Sequence, residues 1–72
     1  MHTTPVTFSG NGRNPTVVTL KANGGTLLFE KLLGNDWIAS PAMTADGNYA
    51  IETGTGKCRF TPTGGAVYGY SQ

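Results

Sequence analysis

A chain of 72 residues is one domain at most, and one this short buries only about 60% of the surface that its unfolded form exposes. Its single cysteine, Cys58, excludes an internal disulfide, and one cysteine with one histidine does not assemble the usual zinc sets. The net charge of +1, carried by scattered Arg13, Lys21, Lys31, Lys57 and Arg59, excludes the clustered basic stripe that nucleic acid requires.

Taken from the N-terminus, Met1–Phe8 has neither the basic nor the apolar region of a signal peptide. With no apolar run of spanning length, no membrane segment is expected. His2 is expected in a solvated terminus, far from any catalytic partner. Residues 1–14 read as an N-terminal arm or edge segment, and residues 15–72 as a single β domain. TVVTLKA alternates with period two, placing Val18 and Leu20 on one face and Thr19 and Lys21 on the other. TLLFEKLL is short for a helix and flanked by glycines, so it is taken as a strand with a twist or bulge near Glu30-Lys31.

Trp37 follows the Asn35-Asp36 turn and reads as a large core residue, with an aromatic platform for a sugar or a protein as the functional option. NYAIET alternates Tyr49 and Ile51 with Ala50 and Glu52. KCRFT sets Cys58 and Phe60 against Lys57, Arg59 and Thr61, and AVYGYSQ puts Tyr68 and Tyr70 on one face. Between these segments lie Ser9-Gly10-Asn11-Gly12, Asn23-Gly24-Gly25, Gly34-Asn35-Asp36, Asp46-Gly47, Gly54-Thr55-Gly56 and Gly64-Gly65, read as tight turns of the hairpin kind. The expected fold is all-β: a small antiparallel sandwich or barrel of about seven short strands without a significant helix.

ETGTGKC, Glu52–Cys58, imitates a phosphate loop and fails its requirements. A leading glycine is required where Ile51 stands, a Ser or Thr where Cys58 stands, and a helix where CRFTPTGG reads as strand. A hairpin turn is the better account. Cys58 has basic neighbours, but strand alternation turns Lys57 and Arg59 away from its sulfur, leaving a small buried hydrophobe. Asp46-Gly47-Asn48 lacks the further ligands of a calcium loop. No catalytic, cofactor or metal residues are assigned.

From Gly25 onward the order of features is familiar: GGTLLFEKL, GNDWIA, MTADGNYAI, GTGKCRF and TGGAVYGY. This order resembles small all-β structural proteins of tailed bacteriophages, among them capsid decoration (cement) proteins and head-fibre or tail components. The resemblance implies a non-enzymatic virion protein, assembled in the bacterial host cytoplasm and without cofactor. Its implied partners are the major capsid protein or other virion proteins, and copies of itself, with a trimer favoured. It carries over no set of functional residues. Candidate contact residues are Val6, Phe8, Trp37, Arg59, Tyr68 and Tyr70. The alternative is a glycan-binding or adaptor module of a tail or fibre, with Trp37, Tyr68 or Tyr70 as the stacking surface.

Overall fold

The computed structural model describes residues 1–72 and contains seven strands and no helix. They are β1 (Val6–Asn11), β2 (Thr16–Lys21), β3 (Thr26–Leu33), β4 (Asp36–Ala39), β5 (Gly47–Ile51), β6 (Thr55–Thr63) and β7 (Val67–Ser71). A four-stranded sheet, ordered β1-β6-β3-β4, packs on a three-stranded sheet, ordered β5-β2-β7, and every pairing is antiparallel. The expected all-β fold is therefore present.

Period-two alternation builds the core, because one face of each sheet turns inward. Val18, Leu20 and Ala22 from β2 and its end meet Leu27 and Phe29 of β3, Cys58 and Phe60 of β6, and Ala66 and Tyr68 at β7. Phe60 is fully buried and stands among four rings: Phe8 at 5.3 Å, Phe29 at 5.7 Å, Tyr68 at 5.5 Å and Tyr70 at 5.4 Å between centroids. Full burial of one aromatic side chain is worth about 2–3 kcal/mol, so this cluster is the main cohesive element of a small core.

The turns depart from expectation. Only β3–β4 is a hairpin within one sheet, with Leu33 opposite Asp36 and two residues between. Gly34 has φ 64 and Asn35 has no positive φ, which is the type II′ pattern that matches strand twist. The other connections cross from one sheet to the other. Asn-Gly and Asp-Gly supply a left-handed backbone at low cost, and a corner between sheets uses that as readily as a hairpin does. Thus the β5–β6 connection is a corner at residues 52–54, not a hairpin, and Thr55 and Gly56 already belong to β6, paired with β1. Asp46 ends another, its carboxylate accepting a bond from the Ala22 N–H at 2.7 Å. Ser9, Gly10 and Asn11 belong to β1, and the turn begins after them, where Asn11 Oδ1 accepts from the N–H groups of Arg13 and Asn14.

Two further expectations are corrected. β3 carries no bulge: its register with β6 runs unbroken from Thr26 to Lys31, and that with β4 from Glu30 to Leu33. Glu30 has its ionic partner directly across the ladder and does not need to bend out to water. His2 is not a loose terminus, because its N–H and C=O both bond to Tyr68, at 2.6 and 3.0 Å. Its ring packs on Tyr68 and Tyr70. Val6–Asn11 forms the outer strand of the four-stranded sheet, paired with β6.

Candidate functional site

The outer face of the four-stranded sheet carries a linked set of polar and aromatic side chains. Because partners across a ladder share a face, Leu28, Glu30 and Leu32 of β3 stand beside Thr61 and Arg59 of β6 and Trp37 of β4. Glu30 is buried although it faces outward. Its carboxylate accepts two bonds from Arg59, from Nε at 3.1 Å and from Nη2 at 2.7 Å, and a third from the Thr61 hydroxyl. The Arg59 guanidinium also lies over the Trp37 ring, 4.2 Å from its centroid. One arginine thus fixes both a carboxylate and an indole.

The hydrogen-bonded guanidinium holds the Glu30 carboxyl below its ordinary value of 4.5, with the Thr61 hydroxyl helping and burial opposing. A carboxylate whose pKa is depressed on folding stabilises the fold above its unfolded value, and that stability is lost as pH falls through the folded value. Unfolding by urea followed from pH 7 downward is therefore expected to show a midpoint that drops below pH 4.5. Glu30→Gln should flatten this fall. An unchanged acid slope in that variant would mean that other carboxylates set it.

Trp37 was expected in the core and lies instead half-buried on this outer face. Trp37 lies opposite Leu32, on the face of the sheet that points away from the core residue Phe29. Of the other candidates, Val6, Phe8 and Tyr70 pack against the core as partly buried residues. Tyr68 is a core residue, whose hydroxyl donates to the Thr4 carbonyl at 2.8 Å. Burial pushes its phenol up to about 12, with the nearby Tyr70 adding to the shift. The structure therefore brings Trp37 and Arg59 together and leaves the four others on the core side or at its rim. Glu30 and Thr61 complete the set. Their only sequence signal is an outward position on two alternating strands, with a carboxylate on one and a cation on the other.

The ETGTG loop is built with the opposite polarity to a phosphate cradle. A phosphate loop aims N–H groups inward, whereas here the carbonyls of Thr53 and Thr55 accept from the Lys31 ammonium at 2.5 and 2.6 Å. The loop is pinned to β2 by the buried Thr16–Thr53 hydroxyl pair. Cys58 is fully buried beneath it.

No family model matches the chain, and neither does a curated protein or a solved structure.

Proposed function

We propose that this chain is a non-enzymatic structural subunit of a tailed-phage virion that seats on the head shell through the outer face of its four-stranded sheet. The observation that carries the reading is the Trp37–Arg59–Glu30 arrangement. Tryptophan and arginine are the residues most enriched where protein interfaces concentrate their energy. Here both are held in place before any partner arrives, so little side-chain entropy is lost on docking. Leu28 and Leu32 flank them as partly exposed apolar surface. The virion setting comes from the resemblance in turn and aromatic order.

The test is co-sedimentation of the purified chain with head shells, and separately with tails, assembled from the same genome without it. Wild type is expected to pellet with heads, and Trp37→Ala to bind at least about 30-fold more weakly, the loss of an interface residue worth about 2 kcal/mol. Failure to pellet with either particle overturns the virion reading. Binding to tails alone overturns the head placement.

A further inference from the structure

The two sheets do not end flush. Phe8 of β1 meets Tyr70 of β7 at 5.0 Å, and Phe60 of β6 meets both β7 tyrosines, so β7 lies over β1 and β6. At the other side β5 lies over β3, since Phe29, Met43, Tyr49 and Ile51 line one cleft of about 320 Å³. β4 therefore projects one strand beyond the smaller sheet. Its inward face shows the consequence: Ile38 is 54% exposed and Leu33 beside it 73%, although Phe29 on the same face of β3 is buried. Beneath them a second cleft of about 380 Å³ shares Phe29, Ser40 and Glu52 with the first, making one groove along the open side.

Both strands that border the groove have unpaired edges. Ser40 N–H bonds to the Phe29 carbonyl at 2.9 Å, which sets the phase of the β3–β4 ladder. By antiparallel alternation Asp36 and Ile38 then bond inward, and the amides and carbonyls of Trp37 and Ala39 point off the edge. Pro41, lacking an N–H, ends the free ladder. The sense of the strands also follows. The tight corner at residues 22–25 reverses the chain between β2 and β3, and β5 and β4 run antiparallel to β2 and β3 respectively. β5 thus runs with β3 and against β4.

We propose that this open side is a self-association surface, on which two copies close as a lap joint about a two-fold axis parallel to the strands. Such an axis keeps strand direction and exchanges the layers. The projecting β4 of each copy then fills the strand position missing from the other's smaller sheet, pairing antiparallel with its β5. Both free edges are satisfied at once, and the two Ile38 side chains face each other across the sandwich. A single extended peptide beside β5 would leave the β4 edge open. The groove walls hold one cation, Lys31, and one anion, Glu52, and Asp36 shares the inward face of β4 with Ile38, so the joint also sets two carboxylates near its axis and should tighten with added salt. The inference goes beyond the virion reading and stands without it, and it names a dimer where the resemblance implied a trimer.

The molecule measures 31 × 24 × 19 Å, so closing two of its narrow sides buries on the order of 1,000 Å² in total, the size of a weak, transient interface. The association is therefore expected to be weak, with a dissociation constant of about 1 μM or higher. Sedimentation velocity of the full chain from about 1 μM to about 1 mM should show a shift from 7.5 kDa to twice that mass. Ile38→Lys is expected to leave a folded monomer at every concentration, since Ile38 is exposed in the single copy and is not part of the core cluster. Circular dichroism checks the fold, and Leu33→Lys replaces the variant if it is lost. Val17→Lys, on the outer face of β2, should dimerise like wild type. Two results overturn the proposal: a wild type that stays monomeric throughout, whatever peptide its groove then accepts, or an oligomer that survives both lysine variants. The measurement needs no head shells, so it fails or succeeds separately from the virion reading.

Discussion

Phe60→Ala is expected to remove about 3–5 kcal/mol of stability, the usual range for truncating a buried aromatic. The whole fold of a 72-residue chain is worth only about 4–11 kcal/mol. This one change therefore removes about a quarter of the total at least, and all of it where the fold is worth the lower figure. Three features put the cost at the upper end. Phe60 is fully buried, and its ring is in contact with four others drawn from β1, β3 and β7. It also sits on β6, which is paired on both sides, to β1 and to β3. A central strand cannot slide inward to fill the void without breaking a ladder, so the cavity stays open and its lining loses dispersion contacts. Urea denaturation followed by circular dichroism measures the loss. Phe60→Leu, which keeps most of the volume, should cost less than half as much. A loss below about 1.5 kcal/mol for the alanine variant would show that the four surrounding rings collapse together.

The face of each enclosed strand was readable from alternation alone. Val18 and Leu20, Cys58 and Phe60, and Tyr49 and Ile51 all turn inward as their spacing requires. That signal exists because one side of each strand meets the opposing sheet. It fails where the opposing sheet stops. In DWIA, Ile38 faces inward yet stays exposed and Trp37 faces outward yet is half-covered, so apolar residues occupy both faces and periodicity assigns neither. The corners were hidden for another reason. Turn residues record the backbone angle they adopt, and Asn23-Gly24-Gly25 adopts it whether the next strand pairs beside the last or crosses to the other sheet. The Glu30–Arg59 pair is separated by 29 residues, and only the register of β3 with β6 brings it together.

Gly25→Ala and Gly69→Ala make the same chemical change and are expected to act in opposite directions. At Gly25 an added Cβ would overlap the Thr63 carbonyl, closer than real Cβ contacts allow, and would crowd the Ala66 nitrogen at 3.0 Å. Both neighbours are backbone, and neither is free to move. The corner at residues 22–25 is closed by the Gly25 N–H bond to the Ala22 carbonyl, and the facing corner by the Ala66 N–H bond to Thr63. The corners are laced together by Asn23 Nδ2 donating to the Gly65 carbonyl and by the Thr26–Thr63 hydroxyl pair. An extra methyl forces these two corners apart at the end where both sheets change over, and overpacking against fixed backbone costs about 3 kcal/mol, the upper end of the usual range. At Gly69 nothing lies within 4 Å and the backbone is not left-handed. Alanine there reduces the freedom of the unfolded chain without strain and should stabilise by about 0.5 kcal/mol. Paired thermal melts of the two variants read the difference directly. Equal stabilities would mean that the corners yield to a methyl group, and that the contact between them does not hold the two sheets in register.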